Sequence, residues 1–328
     1  MVFHCLRRGQ YPVKLMCPMK NMTGRLVFVR FFAIAALSAV SALTSAVHAQ
    51  GPNLLSQAAL IVDARTGDPI FAKNANNVTP IASITKLMTA MVVLDAQQNL
   101  DQTLTVDLDD LDFLKASRSR LSIGSELTRR EMLRLALMSS ENRAASSLGR
   151  FYPGGLSAAV AAMNAKAKAL GMNNTRYVDT TGLSPENVST ARDLAVMVQA
   201  AQRYPLIREF STQPEEYVQI PATGKTLHFN NSNALVKSGG WDISLQKTGF
   251  IREAGRCVVM LAQIAQRPVV LVLLDSVGKF SRIGDAQRVK TWMETGEVLA
   301  IPKPQAARKG AKAGKNKAGK AVSKKKRR

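Results

Sequence analysis

The stretch Leu87-Met88-Thr89-Ala90-Met91-Val92-Val93-Leu94 is apolar nearly all round at helical spacing. A helix without a polar face has no place on a surface, so other elements must surround it in the middle of a domain. Pro80 lies just upstream as a breaker, and Ser83-Ile84-Thr85-Lys86 opens the helix. Ser83 and Lys86 are three apart, which puts them on one face about one turn from each other. The buried helix therefore gives a hydroxyl and an amine a rigid, water-poor seat. Read alone, the pair is also compatible with a serine N-cap and a solvated lysine.

Two further motifs change that balance. Ser140-Glu141-Asn142 falls where the apolar pattern of one helix breaks before the next begins, and Lys247-Thr248-Gly249 ends a run that reads as a strand. A serine hydroxyl is a weak nucleophile and needs an adjacent base. After export only one histidine remains, His228, so Lys86 is the better base. An ordinary lysine is protonated at neutral pH. Lowering its pKa by about 3 units costs about 4 kcal/mol, which burial and a second cation can supply, with Lys247 as that cation. Ser140 and Asn142 can pass a proton toward a leaving nitrogen and hold a peptide backbone, or they can simply cap the following helix. Lys247 and Thr248 suit a substrate carboxylate, and Gly249 clears space for another backbone, as when an extended peptide joins a sheet edge. The backbone N–H groups of Ser83 and Phe250 are the expected oxyanion hole.

The remaining pattern predicts an α+β fold, an α/β sandwich with an antiparallel sheet. Residues 58–63 and 69–72 read as a hairpin around Arg65-Thr66-Gly67-Asp68. Thr128-Arg129-Arg130-Glu131 is a capping box ahead of an apolar helix. Helices are expected over 144–149, 156–170 and 190–203, strands over 245–250, 256–264 and 269–275, and a last helix over 282–294. His228 reads as a loop residue with no second ligand nearby. Asp107-Leu108-Asp109-Asp110 reads as a solvated turn, with at most weak affinity for a divalent ion. No cofactor and no metal site is expected.

The net charge of +22 belongs mostly to the ends. Residues 1–49 carry six Lys/Arg and no acid, residues 303–328 carry twelve and none, and +4 remains for 50–302. The body is thus not a nucleic-acid-binding domain. Arg25 and Arg30 before the apolar run 31–43, then Val47-His48-Ala49, predict a signal peptide cleaved after Ala49 and a periplasmic protein. Residues 1–21 form an unusually long leader, and Met22 gives a more typical start. Cys5 and Cys17 would leave with the leader, so Cys257 is left as a buried apolar residue, with no internal disulfide. The body then folds by its core alone. The tail over 303–328 lacks core-forming residues and is expected to be disordered, either solvated or in contact with an anionic wall or membrane surface.

With these residues in place the chain resembles the low-molecular-mass penicillin-binding proteins, the serine D-alanyl-D-alanine peptidases. The likeness extends to Ser117–Gly124, Ala136–Ala145, Gly182–Ala191 and Trp241-Asp242-Ile243, and looks nearest to the endopeptidase branch. It implies a transpeptidase-type fold with the site between the sheet and a helical subdomain. It also implies cleavage of D-alanyl–diaminopimelate cross-links of peptidoglycan through an acyl-enzyme on Ser83, and inhibition by β-lactams. Glu141 stands where the β-lactamase pattern has Asp, and nothing supplies that family's deacylating glutamate. The short stretch after the last strand leaves no room for the extra C-terminal domain of the carboxypeptidase branch. A D-Ala-D-Ala carboxypeptidase, a β-lactamase and a non-catalytic wall-binding protein remain as alternatives.

Overall fold

The computed structural model describes residues 51–220 and 223–302. The expected signal peptide with Cys5 and Cys17, and the basic tail over 303–328, lie outside the described residues. The chain opens with β1 (Ser56–Asp63) and β2 (Pro69–Lys73), an antiparallel pair with a bulge between Ile61 and Val62. Strand β3 (Thr79–Pro80) leads into a single 3-10 turn, Ala82–Ile84, and then helix α1 (Thr85–Asp95). A ribbon of β4 (Thr103–Thr105) and β5 (Glu126–Thr128) precedes α2 (Arg129–Met138), α3 (Asn142–Arg150) and α4 (Gly155–Ala169). Strand β6 (Val188–Ser189) pairs with β3, and α5 (Ala191–Ala201) and α6 (Pro205–Thr212) follow. A hairpin of β7 (Glu215–Ile220) and β8 (Lys225–Asn230) comes next. Strands β9 (Asp242–Ile251), β10 (Gly255–Ile264) and β11 (Arg267–Ser276) and helix α7 (Ser281–Thr295) complete the body.

Five strands form one antiparallel sheet in the order β2-β1-β11-β10-β9. Successive side chains on a strand point to opposite faces, and here both faces are covered. Leu60, Val259 and Val272 join the core beneath α1 to α6, whereas Ile61, Met260 and Leu271 join a second core with Ala286 and Val289 of α7. That is why these strands read as continuous apolar runs rather than alternating ones. Strand β9 is an edge, and that edge position matters for the site. Helix α1 is buried over its whole length to Val93 and packs on α2, α3, α4, α5 and α6, as an all-apolar helix must.

The expected helices and strands are present, and the capping box is formed: Thr128 caps the Glu131 N–H while Glu131 accepts from the Thr128 N–H. The turn between β10 and β11 falls on Ala265 and Gln266, both at positive φ. Pro268 sits near the start of β11, where its missing N–H is tolerated. Helix α6 and the β7–β8 hairpin were not foreseen. His228 is therefore a strand residue in β8, not a loop residue: it stacks on Tyr217 at 4.3 Å, with Nε2 3.1 Å from Glu215 Oε2.

Asp285 ties α7 to the sheet. Its buried carboxylate accepts from Leu55 N at 3.0 Å, Ser56 N at 2.7 Å and Ser56 Oγ at 2.6 Å, and it pairs with Arg288. Removing it leaves a buried guanidinium and the start of β1 without partners. Asp285→Ala is expected to lower stability by about 3–5 kcal/mol, because breaking a buried pair strands the remaining charge. A denaturant midpoint equal to that of the parent would contradict this.

Candidate active site

The turn that carries Ser83 is gripped from two sides. Gly182, at φ +80°, approaches so closely that a Cβ there would lie 2.0 Å from Ala82 O. At Gly249 of β9 a Cβ would lie 2.9 Å from Ile81 O and 3.2 Å from Ser83 N. Only glycine permits both approaches, and the second brings the free edge of β9 against the Ser83 N–H. Ala82 itself takes φ 48°. Thr85 Oγ1 donates to Ala82 O at 2.8 Å, and Asn187 Nδ2 donates to Thr85 Oγ1 at 3.1 Å.

Lys86 is 1% exposed. Its Nζ donates to Ser83 Oγ at 2.9 Å, Asn142 Oδ1 at 2.8 Å and the Thr181 carbonyl at 2.6 Å. Burial pushes the amine down from 10.5 to about 7, against the pull of Asp179, Glu141 and Asp112. A substantial share of the molecules thus carries a free amine beside the Ser83 hydroxyl at neutral pH. Lys247 is fully buried too, with Nζ donating to Ser140 Oγ at 2.8 Å and to Thr248 O at 2.9 Å. Desolvation is the main cause of the Lys86 shift, and burial together with the Lys86 and Arg282 cations holds Lys247 well below the usual lysine range.

Ser140 lies at the α2–α3 junction with φ 63°, a strained conformation for a residue with a side chain. The cap of α3 is neither Ser140 nor Asn142 but Glu141, whose carboxylate accepts from Arg143 N at 3.2 Å and Ser119 Oγ at 2.6 Å. That frees the two flanking side chains to face the cleft. Asn142 is held by Lys86 at its oxygen and, through Nδ2, by Ser117 Oγ at 2.9 Å. Thr248 Oγ1 donates to Ser232 Oγ at 2.8 Å. One cleft of about 900 Å³ is lined by Ser83, Ser117, Ser140, Asn142, Thr248 and Arg282, with Gly249 and Phe250 along the β9 side. An ion pair between Lys115 and Glu253, 2.6 Å long, spans its rim.

Several participants carry no sequence signal. The Thr181 carbonyl is aimed at Lys86 because Asp179 gathers the Thr181, Gly182 and Ser184 N–H groups at 2.6, 2.6 and 3.0 Å. Ser117 is set by Asp112, which accepts its N–H at 2.8 Å. Arg282, from the first turn of α7, donates to Gly249 O at 3.0 Å and has a buried Nε without a partner. It is a ready receptor for an anion in the cleft. The other sequence candidates lie elsewhere. Asp110 is buried rather than solvated, bonded to Ser147 Oγ at 2.7 Å and paired with Arg150 at 2.8 Å. Cys257 is fully buried and its thiol is pushed up to about 12 by desolvation. Among the described residues no group of three His, Cys, Asp or Glu is placed to hold a metal ion, and no helix is long and apolar enough to cross a membrane.

A hydroxyl beside a buried amine of lowered pKa, a second amine–hydroxyl pair and a strand edge together have the equipment for acyl transfer. Residues 45–278 match the family described as D-alanyl-D-alanine carboxypeptidase, peptidase S11. The chain belongs to this family. As a member of peptidase S11 it is a hydrolase acting on D-alanyl-D-alanine peptides. It is 52% identical over 249 residues to the D-alanyl-D-alanine endopeptidase of Pseudomonas aeruginosa, covering 76% of this chain and 80% of that one. It is 50% identical over 264 residues to the D-alanyl-D-alanine endopeptidase of Escherichia coli, covering 80% and 85%. The crystal structure of the Streptomyces K15 DD-transpeptidase superposes with a TM-score of 0.69 at 26% identity, covering 74% of this chain and 98% of that one. The S11 chain thus has the α+β fold of the DD-peptidases, with the antiparallel sheet flanked by helices.

Proposed function

We propose that this S11 enzyme is a serine D-alanyl-D-alanine endopeptidase that hydrolyses D-alanyl–diaminopimelate cross-links of peptidoglycan in the periplasm. The observation that carries the mechanism is the Lys86 amine, depressed to about 7 and 2.9 Å from Ser83 Oγ. The free amine takes the Ser83 proton as Oγ attacks the D-alanyl carbonyl. The Ser83 and Phe250 N–H groups hold the oxyanion, each donor of this kind being worth about 3–4 kcal/mol. As the C–N bond breaks, the proton taken by Lys86 is passed on through the Ser140 hydroxyl, which Lys247 holds, to the leaving nitrogen, so that Lys86 is again a free amine, while Asn142 orients the peptide. Thr248 and Arg282 receive the carboxylate beside the scissile bond, while the peptide lies along the edge of β9 and Gly249. Water, deprotonated by the same amine, then opens the ester and frees Ser83. No cofactor or metal takes part in this scheme.

A β-lactam presents a strained amide and a carboxylate in the same relation, so the proposal includes covalent inhibition on Ser83. Identities of 52% and 50% to endopeptidases, against 29% to a Bacillus subtilis carboxypeptidase, support the endopeptidase reading over the carboxypeptidase one. The basic stretch 303–328 would hold the enzyme to an anionic wall or membrane surface, since each lysine near such a surface contributes up to about 1 kcal/mol. The test is residues 50–328 on purified cross-linked dimers and on pentapeptide monomers, read by mass spectrometry. Dimers are expected to fall to monomers, with no loss in Ser83→Ala. Intact dimers with pentapeptides shortened by one alanine would make the enzyme a carboxypeptidase.

A further inference from the structure

Beyond Phe250 lies a second groove of about 310 Å³, bounded by the ends of β9, β10 and β11 and by the loop into α7. Phe250 and Arg252 line both spaces, so the two are neighbours. Three cations border the groove: Arg252, Arg256 and Lys279. None of them forms a salt bridge or a side-chain hydrogen bond among the described residues, whereas Lys115, Arg150 and Lys237 elsewhere are paired. Arg256 lies over the ring of Phe250 at 4.4 Å, and Lys279 lies 5.3 Å from that of Phe280. Both rings are more than half exposed. One acid, Asp275, lines the same groove against the Gly255 backbone, and Glu253 beside it is paired with Lys115, so the three cations outnumber the carboxylate among them. The result is a groove with a net positive lining and one aromatic wall, Phe250, whose cations are free to bind an anion.

The groove also opens on a defined side. Helix α7 starts at its border and sends Arg282 into the catalytic cleft, so the groove lies next to the substrate carboxylate that Arg282 receives. Resting on the proposed cross-link cleavage, we propose that Arg252, Arg256 and Lys279 bind carboxylates of the second stem peptide in a cross-linked dimer. A pentapeptide monomer has no second stem and leaves the groove empty. Guanidinium groups suit carboxylates through paired N–H donors, and contacts this exposed are weakened by salt. The groove is thus the element that makes a branched, multiply charged substrate better than a linear one.

The test compares Arg256→Gln/Lys279→Gln with the parent enzyme on a cross-linked dimer and on benzylpenicillin. The ratio of dimer kcat/KM to penicillin acylation rate is expected to fall about tenfold, through KM, because partly exposed charge pairs act at that scale. Dimer activity of the parent is expected to fall steeply with added salt, and that of the variant less steeply. An unchanged ratio, or equal loss on both substrates, overturns the proposal. Should the double variant fold poorly, Arg252→Gln, at an exposed position, must give the same shift in the ratio. If the parent cuts no dimers, the endopeptidase reading fails by itself. The groove is then judged by binding of dimer and monomer peptides to Ser83→Ala, where the dimer's advantage must disappear with the three cations. Vesicles of phosphatidylglycerol serve as the competing occupant: binding to them through these cations, with dimer KM unmoved, overturns the assignment.

Discussion

Ser83→Ala is expected to lower turnover of cross-linked peptide by about 10⁴-fold or more, the scale on which loss of a covalent nucleophile is felt. The loss should appear in kcat, with peptide affinity kept. In the proposed scheme Thr248, Arg282 and the edge of β9 hold the substrate, and none of them depends on the hydroxyl. The substitution also removes one hydrogen bond from Lys86, yet the amine keeps Asn142 Oδ1 and the Thr181 carbonyl as acceptors. The fold should therefore survive, and the melting temperature should stay near that of the parent. A variant that still cleaves dimers at a tenth of the parent rate would remove Ser83 from the mechanism.

The second large effect concerns Lys86. With the free amine as the proposed base, the acylation rate should rise with pH and level off above about 7, where the buried amine loses its proton. Below that value the ammonium has no lone pair with which to accept the Ser83 proton. Lys86→Met fills similar volume without a base and should lower acylation by about 10²–10⁴-fold, the usual worth of a positioned general base, and flatten the profile. The same burial acts on stability in a fixed direction. The unfolded lysine binds a proton up to about 10.5, whereas the folded one releases it above about 7, so the unfolded state holds more protons in between. This group's contribution to stability hence rises as pH increases across that window. A stopped-flow pH series with a penicillin ester reporter measures the first effect, and a rate independent of pH through 7 would exclude Lys86 as the base.

Much of this architecture was legible in the residues. The polar-free run after Lys86 required a central helix, and α1 is buried on every side. The continuous apolar runs of the last third became strands covered on both faces. The triple of short motifs converged because each sits on an element that borders the same cleft: the turn before α1, the α2–α3 junction and the edge strand β9. What remained unread has physical causes. The β7–β8 hairpin alternates exposed and buried residues weakly, and its strands carry charges that imitate a loop. Asp107-Leu108-Asp109-Asp110 looks solvated until Arg150, distant in sequence, folds over Asp110. The carbonyl of Thr181 is a feature of backbone path, which any side chain could accompany. Arg282 looked like any basic residue opening a helix until the fold turned it toward Gly249.

The central claim is that Ser83 becomes acylated with Lys86 as its base. Incubating residues 50–328 with benzylpenicillin, digesting with trypsin and sequencing the labelled peptide by mass spectrometry tests it most directly. One penicilloyl group on Ser83, absent in Ser83→Ala and strongly slowed in Lys86→Met, is the predicted result. A label on Ser140 or on any other residue, or a label that persists in Ser83→Ala, would contradict the account.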